Sequence, residues 1–86
     1  MSQPAELDII VPELGAGSLR VRISSWLAEL GETVHEGDRL VELSLPGMTF
    51  DINSPSDGTL ISIDRPIGTE VHPGDHLGKL LAMEED

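Results

Sequence analysis

An all-β fold, two similar sheets packed face to face about a pseudo-twofold axis, is what this 86-residue sequence predicts. Three observations carry the prediction. Short apolar runs are separated by Gly, Pro, Asp and Ser, the punctuation of strands and turns. Several runs alternate with a period of two, which gives one dry and one wet face. A block of ten residues also recurs 37 positions further on, from Gly31–Leu40 to Gly68–Leu77.

Residues 1–6 are polar and read as a flexible tail, and Glu84, Glu85 and Asp86 as an acidic tail; the domain is expected over 7–83. The first strand is Leu7-Asp8-Ile9-Ile10-Val11, stopped by Pro12. Leu19, Val21 and Ile23 alternate with Arg20, Arg22 and Ser24 and predict the next. Ser25–Leu30 is the best helical window, but six residues ending at Gly31 are too few to stand alone, so it reads as strand or extended chain. Met48, Phe50 and Ile52 alternate with Thr49, Asp51 and Asn53, and Leu60–Ile63 and Leu77–Met83 complete the set.

Within the repeat, Gly, Val, His, Gly, Asp and Leu recur at identical spacing. Each copy reads strand, tight turn, strand. The Gly-Asp pair supplies the turn, because Gly takes positive φ and Asp bonds its own backbone. Upstream, Gly17-Ser18-Leu19 aligns with Gly58-Thr59-Leu60, which places four extra residues of the first half between Leu19 and Gly31. One copy alone cannot bury its apolar face. Two facing copies can.

Composition narrows the function. Sixteen acidic residues against five Lys plus Arg give a formal charge of −11, which opposes a phosphate backbone or an anionic membrane but suits a protein partner. With no cysteine there is no disulfide, thiolate metal site or thiol catalysis. No apolar run has the roughly 18 residues of a membrane span, and the start shows no signal peptide, so a cytoplasmic location is expected.

Val11-Pro12-Glu13-Leu14-Gly15-Ala16-Gly17 resembles the opening of lipoyl domains from 2-oxo acid dehydrogenase acyltransferases. Trp26-Leu27, Gly31–Val34, Glu36–Glu42, Ile52–Pro55, Gly58–Leu60 and Gly68–Leu77 continue that pattern in order. The resemblance to this lipoyl/biotinyl-attachment family covers about 7–83. It implies a flattened barrel of two four-stranded antiparallel sheets, the hammerhead-like fold. It also implies a hairpin turn presenting a lysine that is amidated by lipoate or biotin. Here the lysine position falls on Gly47, between Pro46 and Met48. An amide arm needs a primary amine, and the sole lysine, Lys79, lies in an expected strand at the repeat partner of Glu42. Pro46-Gly47 is instead a natural type II turn.

Other chemistry is thinly supported. His35 and His72 are repeat equivalents, with His76, Asp38 and Asp75 nearby, but zinc-ligand spacing is absent and a shared turn role explains them. No Gly-x-Ser-x-Gly elbow appears, so an enzyme is not expected. An export adaptor fragment would bring long helices and a membrane anchor. Trp26 and Phe50, the only aromatics, are expected to anchor the core. The reading is therefore a lipoyl/biotinyl-like domain without cofactor, acting as a non-modified docking or scaffold module. Its contacts would be Glu42, Ser44, Leu45, Pro46, Gly47 and Met48. Its partner would be a protein such as a 2-oxo acid dehydrogenase or carboxylase component. The alternative is a lipoyl or biotin carrier domain of an acyl- or carboxyl-transfer complex, modified elsewhere or altered at the attachment site.

Overall fold

A computed structural model of the chain describes residues 4–83. Eight strands follow one another: β1 (Pro4–Ile10), β2 (Val21–Trp26), β3 (Thr33–Val34), β4 (Arg39–Leu45), β5 (Met48–Asn53), β6 (Gly58–Ile63), β7 (Glu70–Val71) and β8 (His76–Met83). They form two antiparallel four-stranded sheets, ordered β1-β8-β6-β3 and β5-β4-β2-β7. Between the sheets lies an aliphatic core in which Ile23, Leu40, Leu43, Leu60, Leu77 and Leu80 are fully buried. Burying that apolar area is the main favourable term in so small a domain.

The pseudo-twofold is written into the hydrogen bonds. Gly31 N–H donates to the Leu60 carbonyl at 2.8 Å, and Gly68 N–H to the Ile23 carbonyl at 2.8 Å. Leu27 N–H donates to Leu40 O, and Asp64 N–H to Leu77 O, both at 2.8 Å. Each pair is related by the 37-residue offset. So are the two β-bulges, at Ser24 in β2 and Ile61 in β6. The turns His35–Asp38 and His72–Asp75 match as well. In each, the Asp Oδ2 accepts the His backbone N–H at 2.9 Å. Gly37 and Gly74 take φ of 90° and 89°, which only glycine adopts without strain.

Several sequence expectations need correction. β1 begins at Pro4, so residues 4–6 belong to a strand; residues 1–3 and 84–86 lie outside the described residues. Leu19 precedes β2 and is exposed. The counterpart of Gly58 is Val21, because Val21 pairs with Val71 as Gly58 pairs with Val34. The alignment of Gly17-Ser18-Leu19 with Gly58-Thr59-Leu60 is thus wrong, and the extra residues of the first half sit before Val21, in the β1–β2 loop. The Gly-x-Leu similarity is local and carries no register. Ser25 and Trp26 end β2, whereas 27–30 lead into a turn. Trp26 packs against the core and donates from Nε1 to the Arg65 carbonyl at 2.8 Å. Phe50 does not anchor the core, since it lies 39% exposed on the edge strand β5.

Candidate functional site

The β4–β5 hairpin ends in a two-residue turn, Pro46-Gly47, closed by the Leu45–Met48 pair. Proline fixes φ near −65° at the first turn position, and Gly47 takes φ 80° at the second, as a type II turn requires. β2 supports β4 only as far as the Arg22–Ser44 pair. Residues 45–48 therefore reach past their neighbouring strand. Val41 and Leu43 point into the core at 0% exposure, but the same face carries on into half-buried Leu45 and then Met48, 60% exposed. The tip is an apolar knob on a buried stem.

The six residues singled out from sequence do not act as one group. Leu45, Pro46, Gly47 and Met48 form the tip. Ser44 flanks it, opposite Thr49 and Arg22. Glu42 sits further back, where its Oε1 accepts the Ser24 hydroxyl at 2.7 Å; the same hydroxyl also reaches the Glu42 carbonyl at 3.0 Å. That carboxylate is held by the β2 bulge. Arg22 is the residue that sequence reasoning overlooked. Its alternation with Val21 and Ile23 places it on a wet face, but only the register puts it beside the hairpin.

Lys79 is in the other sheet, in β8, opposite Asp8 of β1 and Ser62 of β6. Its Nζ lies 3.4 Å from Glu6 Oε1. The hairpin tip thus offers no amine to a carboxylic-acid cofactor, whereas Lys79 offers one on the face of a sheet. A Cβ built at Gly47 would meet nothing within 4 Å, so the tip has room for a side chain. His35 and His72 occupy separate, equivalent turns. His35 Nδ1 lies 3.9 Å from Asp57, and His72 lies 3.6 Å from Glu70 and 3.7 Å from Asp75. Among the described residues no three His, Asp or Glu side chains converge as metal ligands. Among the same residues no helix is long and apolar enough to cross a membrane.

A family model described as "Biotin-requiring enzyme" matches residues 7–80. Among similar proteins is the dihydrolipoyllysine-residue succinyltransferase component of the 2-oxoglutarate dehydrogenase complex of Rickettsia typhi, 30% identical over 86% of this chain and 19% of the relative. The component of the same name from Buchnera aphidicola subsp. Baizongia pistaciae is 35% identical over 90% of this chain and 19% of its own length. The dihydrolipoyllysine-residue acetyltransferase component of the acetoin cleaving system of Bacillus subtilis is 30% identical over 77% and 17%. The chain therefore spans about a fifth of these relatives. They correct two expectations from the sequence. Proteins named for a dihydrolipoyllysine residue favour the carrier reading over a non-modified docking module. They equally contradict the expectation of no cofactor, which rested on Gly47 alone. The matched family is one of non-catalytic attachment domains, in line with the expectation that this domain is not an enzyme.

Proposed function

Because this chain belongs to the biotin- and lipoyl-attachment family, we propose that it is a carrier domain of a multienzyme acyl-transfer complex, altered at the attachment position. The observation that carries this reading is the β4–β5 hairpin, whose two-residue turn extends past the last pairing with β2 in a chain whose relatives are named for a modified lysine. By its place in the family pattern, Gly47 stands where the modified lysine would stand. The protein partner fits a dehydrogenase complex of the kind those relatives' names describe. Lipoate is favoured over biotin by the kind of relative matched.

The chain's own residues define what each form of the reading requires. Modification at the tip requires an amine at 47, and the open space there accommodates one. Modification elsewhere requires Lys79, which would first have to leave Glu6. Intact-mass spectrometry after incubation with lipoate ligase, lipoate and ATP separates them. The expected outcome is that Gly47→Lys gains one lipoyl group and keeps it when Lys79→Arg is added. A gain by the unaltered protein, abolished by Lys79→Arg, would support modification elsewhere. If neither the unaltered protein nor Gly47→Lys gains mass while remaining folded, the carrier reading fails.

A further inference from the structure

We propose that the free edge of β1, with the apolar crevice beside it, receives an extended strand from a partner protein in which apolar residues alternate with lysine or arginine. β1 and β5 are edge strands of opposite sheets, and they face each other across an open seam. The seam holds a cavity of about 210 Å³, with Leu7, Ile9 and Ile52 among its walls and buried Leu40 and Leu80 at its floor. β1 pairs with β8 on one side only, and among the described residues its other edge makes no backbone hydrogen bond. An unpaired edge above apolar side chains is the geometry that strand addition uses.

Charge selects the occupant. Along β1 the inward residues Leu7 and Ile9 alternate with exposed Glu6 and Asp8. Glu6 Oε1 meets Lys79 at 3.4 Å, and Asp8 Oδ1 meets His76 Nε2 at 3.3 Å. Both of those groups come from β8. The second oxygen of each carboxylate has no partner among the described residues. A strand laid along the free edge shares the two-residue period, so its apolar side chains cover the crevice while its alternate side chains flank Glu6 and Asp8. Lysine or arginine there would complete the carboxylates, and acidic residues would be repelled. A second copy of this chain is a poor occupant, because two β1 edges would oppose acid to acid in a molecule of charge −11. The proposal stands apart from the carrier reading, since it uses neither the hairpin nor an attached group.

The probe is a capped heptapeptide of alternating valine and lysine, with valine–glutamate and glycine–lysine peptides as controls, added to the intact ¹⁵N-labelled domain. The expected result is saturable shift changes at Leu7–Ile10 and Ile52, with new hydrogen-exchange protection in β1, for the valine–lysine peptide only. Replacing Glu6→Gln and Asp8→Asn together should weaken that binding about fivefold, the scale of two exposed ion pairs. Equal binding of the glycine–lysine peptide would overturn the proposal, since charge alone would then explain it. So would shifts spread over the acidic surface, absence of binding, or β1 shifts that depend only on protein concentration and so report a second copy.

Discussion

Three glycines show how much one side chain's space decides. At Gly58 a Cβ would run into the backbone carbonyl of Leu81, and at Gly78 into that of Ser62, with the Trp26 ring 3.4 Å away. Both positions lie in paired strands that cannot retreat without breaking the ladder. Gly58→Ala should therefore cost about 1–3 kcal/mol, the range for an overpacked core, read by urea denaturation. Gly47→Ala meets no neighbour and bears only the left-handed backbone, so its cost should be about 1–2 kcal/mol. The tip is thus tolerant and the sheet interior is not. Trp26→Phe keeps the apolar ring but orphans the Arg65 carbonyl. Its expected cost is about 1 kcal/mol, the net worth of a hydrogen bond, with the midpoint of denaturation lowered and the slope unchanged.

Turns are the elements most readable in the sequence, because their chemistry is local. The Gly-Asp pairs of Asp38 and Asp75 name a residue that takes positive φ and one that bonds its own backbone; the glycines occur as read, whereas each Asp accepts the N–H of the His three residues earlier. Since the two bonds are exposed and repeat-equivalent, Asp38→Ala and Asp75→Ala should cost about 1 kcal/mol each, and their effects should add in the double variant. A non-additive result would mean that the two halves communicate through the core. Strand register is less readable. The position of β2 against β7 is set by a pairing between distant parts of the chain, of Val21 with Val71, and a Gly-x-Leu likeness at Gly17 carries no trace of it. Phe50 misleads for a related reason. Alternation identifies the inward face of β5, but only the length of the opposite sheet decides that this face runs out of cover before the tip. Half-buried Leu45 and exposed Met48 follow from the same overhang.

The whole molecule is elongated, 45 × 21 × 18 Å, and is held by pairings between distant segments. β1 joins β8 across almost the full chain, from Pro4 with Met83 to Ile10 with His76. Folding should be slow for its size, in milliseconds to seconds, as closing such loops precedes most of the gain. Deleting residues 1–10 should abolish the cooperative thermal transition, because Leu80 and Leu40 would lose Leu7 and Ile9 from the wall beside them. Circular dichroism on the shortened chain checks this. The Pro4–Met83 pair also fixes how the body is suspended. A polypeptide continuing from either side would leave from neighbouring strands, about 5 Å apart. Any such continuation would hold the body at one point rather than two, leaving its orientation free to turn about that point.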